Sequence, residues 1–274
     1  QNCLGLKSDA KLQEFTYCFR ESKAFAATLQ ETWRAGREVL EVNGITLVLR
    51  GPSTQQGRGS KGIGFALATP AVKAWERAGR KEFLSRDKRS MGIRFIVEDG
   101  KGREMGLFLI AAYAPVGCAP DADWDEFFAG LDQVKKLAGA DDTVVIGGDW
   151  NSSMGVGEKK DDFDGTDDRA LATCGPLGPH GNPHTNDAGR RLLRYLALQD
   201  MVVPGTFFRK GKYSTWVHPC SKNGHQIDHF VTYKSDLRRV RDCGRKAQLV
   251  TSDHNGLGLT LQLTTRLAKT VTKK

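Results

Sequence analysis

The residues best suited to chemistry are four carboxylates placed at or near the ends of apolar, strand-like runs. Glu31 follows "AFAATLQ", Asp149 follows "TVVIGG", Asp228 lies within "QIDHFV", and Asp253 follows "AQLVTS". Acidic residues are depleted from such runs because burial of an unpaired charge is costly. Side chains at strand ends project from a rigid scaffold, so we predict that the four converge on one site at one edge of a sheet sandwich. The alternative is that each acid lies in a solvated turn.

Neighbouring residues extend this set of oxygen and nitrogen groups. Asn151 stands two residues after Asp149 in "GGDWN", a spacing that puts both side chains on one side of an extended segment. His254 follows Asp253 directly, and Asp228 could hold its imidazole in one tautomer. Carboxylate and amide oxygens are hard ligands that suit Mg²⁺ or Mn²⁺. A metal, an acid and a histidine together suggest hydrolysis at phosphorus.

Two other kinds of site are less well supported. His180 and His184 are four residues apart, but "HGNPH" contains glycine and proline and cannot form a helical zinc-ligand pair. The segment "GRGSKG" lacks the spacing of a phosphate-binding Walker loop.

The charge distribution favours a polyanionic partner. The net charge is +9, and basic residues are concentrated in 73–94, in 238–246 and in a basic tail, 265–274. Such patches suit nucleic acid, although each could be only a solvated face, and the acidic segment 158–169 would repel phosphates. No run approaches about 18 apolar residues, so no contact with a membrane is expected. The six scattered cysteines indicate reduced thiols and an intracellular protein.

The spacing of apolar residues predicts short strands with a few helices. Helices are predicted over 8–22, 123–138 and 187–199, and Asn43-Gly44 predicts a hairpin turn. These elements indicate one α/β (α+β) domain over 1–264, in which mixed or antiparallel sheets pack face to face with helices outside.

In their order along the chain, several short motifs resemble those of the exonuclease–endonuclease–phosphatase superfamily. They are "QNCLGL", "LQETW", "YAP", "GGDWN", "TW", "QIDHF" and "SDHNGL", and they span nearly the whole chain. The resemblance implies a four-layer sandwich of two mixed β-sheets with the site at one edge. Asn2 lies almost at the start of the sequence, so we expect that the strand carrying it is truncated or begins outside this chain.

The resemblance also implies a role for each matching residue. Glu31 would be the main metal ligand, assisted by Asp253 and Asn2. Asp149 would activate or position the water, Asn151 would bind phosphate or water, and Tyr113 would bind phosphate. His254, oriented by Asp228, would stabilise charge on the phosphoryl group; whether His254 or Asp149 is the base stays open. The predicted substrate contacts are Tyr113, Asn151, Trp216, Arg58 and Lys61.

Within the superfamily, the motifs "LQETW", "GDWN" and "QIDHF" look most like the apurinic-type endonuclease domain of non-long-terminal-repeat retrotransposons. This implies a Mg²⁺- or Mn²⁺-dependent endonuclease that nicks DNA at a retrotransposon target site. It further implies a nuclear location and a parent protein in which the domain is fused to a reverse transcriptase. The alternatives are a phosphoesterase acting on another phosphate substrate and a non-catalytic DNA-binding relic.

Overall fold

The computed structural model describes residues 1–53, 61–98, 102–156 and 175–263. The helices are Asp9–Glu21 (α1), Thr69–Arg77 (α2), Asp121–Lys135 (α3) and Asp187–Leu198 (α4), with 3-10 helices at Pro204–Phe207 and Lys234–Arg239. The strands are Ala26–Gln30 (β1), Arg37–Val42 (β2), Ile45–Arg50 (β3), Ile63–Leu67 (β4), Glu82–Leu84 (β5), Ser90–Glu98 (β6), Glu104–Tyr113 (β7), Thr143–Asp149 (β8), Met201–Val202 (β9), Trp216–Val217 (β10), Gly224–His225 (β11), Asp228–Tyr233 (β12), Val240–Lys246 (β13) and Gly256–Leu261 (β14).

Two larger sheets form the centre of the fold. One has six strands in the order β5-β6-β7-β8-β12-β9, in which β7 and β8 pair in parallel and the other neighbours are antiparallel. The other has four antiparallel strands in the order β1-β4-β3-β2, and Asn2 adds a parallel bridge to Gln30 at its edge. The turn between β2 and β3 is the predicted one. Asn43 and Gly44 both have positive φ (53° and 74°), as a tight hairpin turn requires.

Three apolar clusters separate the layers and confirm the four-layer sandwich. The first lies between α1 and the outer face of the four-stranded sheet and includes Phe15 and Phe19. The second lies between the two sheets, where it is joined by α2. The third lies between the six-stranded sheet and helices α3 and α4. Burial of apolar surface on both faces of each sheet therefore holds the two sheets against each other.

Alternation along β7 decides which side chains face the partner sheet. Leu107, Leu109 and Ala111 belong to the cluster between the sheets, whereas Phe108 and Ile110 face helices α3 and α4. Since successive side chains in a strand point to opposite faces, the odd-numbered positions of β7 face the four-stranded sheet. Tyr113, the last residue of β7, continues this inner row and packs against the cluster between the sheets.

Some predicted boundaries were wrong. Helix α3 begins at Asp121 rather than Asp123, because the chain becomes helical directly after Pro120, whose φ is already −56°. The strand-like run "AQLVTS" ahead of Asp253 does not form a strand, because β13 spans Val240–Lys246 and ends before it. Beyond Lys246 the chain leaves the sheet to bond with the N-terminal region, where Leu249 donates to Gln1 and Thr251 donates to Glu14. The predicted tail, 265–274, and the acidic segment, 158–169, lie outside the described residues.

In the described ranges, no helix combines the length and apolar character that crossing a membrane requires.

Candidate active site

Three neighbouring strands carry polar residues to the same level of the six-stranded sheet. Asp149 pairs in register with Tyr113 on one side and with Asp228 on the other. The close approach of the two sheets beside this row requires a glycine. A Cβ atom on Gly147 would lie 2.8 Å from the hydroxyl oxygen of Thr28, on β1. The row is therefore held by backbone pairing and faces the four-stranded sheet.

The four-stranded sheet supplies the opposing side chains. Asn2, bridged to the end of β1, donates from Nδ2 to Asp149 Oδ2 at 3.0 Å. Glu31, the residue after β1, accepts a hydrogen bond from the hydroxyl of Tyr113 at 2.9 Å. These two bonds connect the two sheets at one edge of the sandwich.

A loop before β14 brings His254 between two carboxylates. Its Nδ1 lies 2.8 Å from Asp228 Oδ2, and its Nε2 lies 3.8 Å from Asp149 Oδ2. The second distance is too long for a direct hydrogen bond, but a single oxygen atom could lie within bonding distance of both groups. The ligand atoms of all three residues lie within 4.8 Å of one another, and all three residues are buried.

Burial and proximity change the ionisation of this trio. Burial, reinforced by the nearby charge of Asp228, raises the pKa of Asp149 to about 7. Burial alone would lower the pKa of His254, but the neighbouring carboxylates, Asp228 foremost, raise it to about 9. Burial would raise the pKa of Asp228, yet the attraction and hydrogen bond of His254 lower it. Near neutral pH, the imidazole is therefore protonated and Asp149 is close to its titration point.

Several backbone turns at this edge adopt a conformation that is uncommon for residues other than glycine. Leu4, Glu31, Trp33 and Asn151 all have φ between 46° and 55°. The left-handed region is disfavoured for leucine, glutamate and tryptophan, so the surrounding contacts must hold these three residues in it, whereas asparagine adopts it more readily. Such positions are found disproportionately at functional sites.

The prediction that the side chains of Asn151 and Asp149 lie on one side of an extended segment is wrong. Strand β8 ends at Asp149, and Asn151 has a φ of 47°, so the extended spacing does not continue. Instead, the backbone N–H of Asn151 donates to Asp149 Oδ1 at 3.0 Å, and its Nδ2 donates to the Ala114 carbonyl at 3.0 Å. Asn151 thus holds the Asp149 carboxylate through its backbone.

The structure gives other contacts to the remaining predicted residues that it describes. Asp253 is exposed, and its Oδ2 accepts from Trp216 Nε1 at 2.9 Å. Lys61 runs beside the segment after Glu31, where its carbonyl accepts from the N–H of Trp33 at 2.9 Å. Arg58 lies outside the described residues. Glu31 and Asp253 do not join the three-residue cluster formed by Asp149, Asp228 and His254.

Three supporting residues are absent from the predicted set. Thr215 Oγ1 accepts from the backbone N–H of Asp228 at 3.0 Å. Ser252 Oγ donates to the Asn2 carbonyl and accepts from the N–H of His254. Arg89 lies over the ring of Tyr113 and donates to its carbonyl. Thr215 and Ser252 lie within the motifs "TW" and "SDHNGL", and Arg89 lies in a basic run, but nothing in their spacing indicates these contacts.

The oxygen groups at this edge fit a hard divalent cation. Glu31 presents a carboxylate, and Asn2 Oδ1 accepts from the Leu4 N–H while keeping a second lone pair. The histidine is less suited to bind a metal, because Nδ1 is engaged by Asp228 and its pKa is raised. Among the residues that the structure describes, the donor set at this edge is thus rich in oxygen, as a hard divalent cation prefers.

Comparisons of sequence give curated relatives that match part of the chain. No family model matches the chain. Craniofacial development protein 2 of Bos taurus is 25% identical over 175 residues, covering 60% of this chain and 26% of that protein. The corresponding protein of Tragulus javanicus is 24% identical over 60% of this chain and 27% of its own length. The chain thus spans about a quarter of the length of these curated relatives.

Solved structures match over almost the whole chain. The catalytic domain of Xenopus laevis APE2 aligns with a TM-score of 0.62 at 14% identity, covering 95% of this chain and 90% of that one. The endonuclease domain of TRAS1, a telomere-specific non-LTR retrotransposon, aligns with a TM-score of 0.58 at 15% identity over 96% of each chain. The AP endonuclease of Leishmania major gives a TM-score of 0.61 at 15% identity, covering 94% of this chain and 85% of that one. The chain therefore has the fold of the exonuclease–endonuclease–phosphatase superfamily.

Proposed function

We propose that the protein is a divalent-metal-dependent phosphodiester hydrolase that nicks DNA. The observation that carries the proposal is the 3.8 Å separation of His254 Nε2 and Asp149 Oδ2, with the imidazole held by Asp228. This arrangement places a proton acceptor beside a cationic donor. Hydrolysis of a phosphodiester needs both groups, one for the attacking water and one for the developing negative charge.

The directions in which the two pKa values move support one division of the roles. Asp149, with a pKa raised to about 7, is suited to take a proton from the attacking water near neutral pH. His254, with a pKa raised to about 9, is protonated there and is better suited to donate a proton than to act as the base. The water oxygen forms the new bond to phosphorus, its proton passes to Asp149, and the bond to the leaving oxygen breaks. His254 donates to a phosphoryl oxygen while this charge develops.

The remaining residues position these groups. Asp228 holds Nδ1 of His254, and Asn2 and the N–H of Asn151 each hold one oxygen of Asp149. Glu31 would hold the metal ion, with Asn2 and Asp253 assisting, and the hydroxyl of Tyr113 orients the Glu31 carboxylate. When bound, such an ion would supply positive charge to offset the negative charge on the phosphoryl group and the leaving oxygen.

DNA is the substrate that the charge and the fold support best. The net charge of +9 suits a phosphate backbone, and Arg89 lies beside Tyr113 at the site. Trp216, Lys61 and Arg58 remain proposed substrate contacts. The similarity to the TRAS1 endonuclease domain supports a retrotransposon-type target-site nuclease. A nuclear location and fusion to a reverse transcriptase in a parent protein are parts of the same proposal.

A plasmid assay tests the proposal. Supercoiled plasmid is incubated with the protein and Mg²⁺, and the nicked circle is quantified over time. We expect nicking to stop with EDTA and to fall by about 10³-fold in Asp149→Asn, because the base is lost. The matched control is Asp125→Asn, which changes an exposed aspartate on α3 and should leave the rate unchanged.

Other outcomes would support the alternatives. Nicking that persists in EDTA or in Asp149→Asn contradicts the proposal. Salt-sensitive DNA binding without turnover would indicate a non-catalytic relic. Release of phosphate from a 3′-phosphorylated oligonucleotide without nicking would indicate a phosphoesterase; one solved structure of this fold is a 3′ phosphatase bound to a product DNA hairpin.

A further inference from the structure

Strand β12 turns two adjacent polar side chains to opposite faces of the six-stranded sheet. Asp228 faces the four-stranded sheet, where it holds His254. His229 continues the row of Val231 and Tyr233, which pack into the apolar cluster beside helices α3 and α4. The side chain of His229 is therefore a buried polar group, only 2% exposed, in a row where apolar residues are usual.

The imidazole of His229 bonds to the turn that follows β8. Its Nε2 lies 2.9 Å from the carbonyl oxygen of Ser152. A carbonyl only accepts hydrogen bonds, so Nε2 carries a proton and donates it. Burial, the largest influence on the ring, lowers the pKa of His229, so the imidazole is neutral near neutral pH. Its single ring proton is therefore on Nε2, and Nδ1 is an acceptor.

The other ring nitrogen shows that packing alone does not account for a histidine at this position. Nδ1 is buried and, across the described stretches of the chain, has no hydrogen-bond partner. A buried acceptor left unpaired costs at least as much free energy as one neutral hydrogen bond contributes, so Nδ1 offsets the gain at Nε2. An apolar side chain of similar size would fill the same space without this cost. The histidine is therefore explained by the group that its Nε2 holds.

The turn after β8 is bonded to the start of β12 on both sides of Asn151. Before Asn151, the N–H of Trp150 donates to the Ile227 carbonyl at 2.9 Å, and its Nε1 donates to the His229 carbonyl at 3.0 Å. After Asn151, the carbonyl of Ser152 accepts from His229. The hydroxyl of Ser152 also donates to the Trp150 carbonyl at 2.7 Å, which closes the turn. Both neighbours of Asn151 are thus fixed to one short segment of the chain.

Asn151, which lies between these bonds, directs its backbone at the proposed base. Its φ is 47°, and its N–H donates to Asp149 Oδ1 at 3.0 Å. Because peptide units are planar, the direction of this N–H changes only if the dihedral angles on either side of it rotate. The bonds of Trp150 restrict this rotation on one side, and the bond to the Ser152 carbonyl restricts it on the other.

We propose that His229 is a positioning residue, which holds the Ser152 carbonyl and so keeps the N–H of Asn151 directed at the proposed base. Since that base, Asp149, belongs to the proposed function, the catalytic part of this role rests on that function. The hydrogen bond to Ser152 and its effect on the turn do not. His229 acts through the turn and is not itself a catalytic residue.

Two substitutions separate the donor of His229 from its volume. His229→Gln keeps an N–H group close to the position of Nε2, whereas His229→Met has a similar length and no donor. The control is His184→Met, which makes the same replacement at an exposed histidine. One measurement is the hydrogen-exchange rate of the Asn151 amide, by NMR without metal or DNA. The other is kcat and KM for plasmid nicking with Mg²⁺.

In His229→Met, we expect the Asn151 amide to exchange about tenfold faster, because its turn is no longer held. We expect kcat to fall about tenfold and KM to change by less than about twofold, because the base is misdirected while the groups that contact DNA are unchanged. His229→Gln should recover exchange and kcat to within about threefold of the wild type, and His184→Met should match it.

Two results would overturn the inference. One is an unchanged Asn151 exchange rate in His229→Met, and the other is a loss in His229→Gln as large as that in His229→Met. If the wild-type protein does not nick plasmid, the proposed function fails, and the exchange rates alone decide the role of His229 in the turn.

The wild-type protein gives a further measurement if His229→Met does not fold. The ¹⁵N NMR shifts of the His229 ring should show a proton on Nε2 and none on Nδ1, and the reverse tautomer contradicts the inference. His229→Gln then provides the second test. An Asn151 amide that exchanges near the wild-type rate supports the role, whereas one that exchanges about tenfold faster excludes it.

Discussion

The two sides of the candidate active site are built differently. On the side of the six-stranded sheet, Tyr113, Asp149 and Asp228 stand in register on three paired strands. On the opposite side, Glu31 and His254 come from turns and loops, and the side chain of each is held by one hydrogen bond. Backbone ladders fix the first set, whereas the second depends on side-chain contacts and on residues at positive φ. The proposed chemistry needs residues from both sides of the site. Substitutions on the two sides should therefore have different effects.

The largest effect should come from disturbing the strand-built side. In Gly148→Ala, the new Cβ would lie 2.1 Å from the Ala112 carbonyl oxygen on the neighbouring strand. Because that atom belongs to the backbone of a paired strand, we expect the free energy of unfolding to fall by about 3 kcal/mol. Urea denaturation measures it. Gly211→Ala, where the added atom meets nothing within 4 Å, should change it little; equal effects would contradict the comparison.

The second-largest effect should come from the hydrogen bond between Asp228 and His254, which joins the two sides. Asp228→Asn removes the charge that raises the pKa of His254 most, so burial should then lower this pKa well below 9. We expect nicking to fall by about 10²-fold at pH 7.5, because the imidazole is no longer protonated. NMR titration of the histidine rings in EDTA measures the pKa. Asp253→Asn is the control and should move it much less; the reverse ranking would refute the assignment.

Stability should depend on pH through the same histidine. The pKa of His254 is about 9 in the folded protein against an ordinary value of 6.5, so protonation favours the native state. This contribution is complete below about pH 6.5 and is lost as pH rises through about 9. Urea denaturation at pH 6.5 and pH 9 should show a larger loss for the wild type than for His254→Asn. Identical losses would show that this histidine makes no such contribution.

Removing the bond that orients Glu31 should have a smaller effect. Tyr113→Phe deletes the hydroxyl that donates to Glu31 Oε1 while keeping the ring against the core. If Glu31 holds the metal, loss of this bond should raise the Mg²⁺ concentration for half-maximal nicking by about tenfold. Tyr213→Phe, which removes a hydroxyl bonded to Lys210, is the control. An unchanged Mg²⁺ dependence in Tyr113→Phe would argue against Glu31 as the ligand.

The smallest effect should come from the outer part of the loop-built side. Trp216→Phe removes the N–H that donates to the exposed carboxylate of Asp253 but keeps an aromatic ring. Since the bond is exposed and competes with water, we expect nicking to fall by about threefold or less, and unfolding to change by under about 1 kcal/mol. A loss as large as that of Asp228→Asn would place Asp253 among the essential groups.

Much of the fold could be predicted from the sequence because local patterns determine it. The Asn43-Gly44 turn is set by backbone preference and appears as predicted. The alternation along β7 follows from the side-chain period of any strand. The start of α3 and the path after Lys246 were missed. The second depends on bonds to Gln1 and Glu14, which are more than 200 residues away in sequence.

The sequence by itself determined which residue types reach this edge, since strand-end acids, an amide and a histidine can be recognised from local patterns. Only the tertiary structure decided the distances between them: His254 Nδ1 lies 2.8 Å from Asp228 Oδ2, the partner expected from the sequence, whereas Asp253 bonds to Trp216. The physical reason is that ionisation and hydrogen bonding depend on burial and on distances between segments far apart in the chain. Asp149 shows this most directly, because its pKa is raised by the burial that two packed sheets create around it.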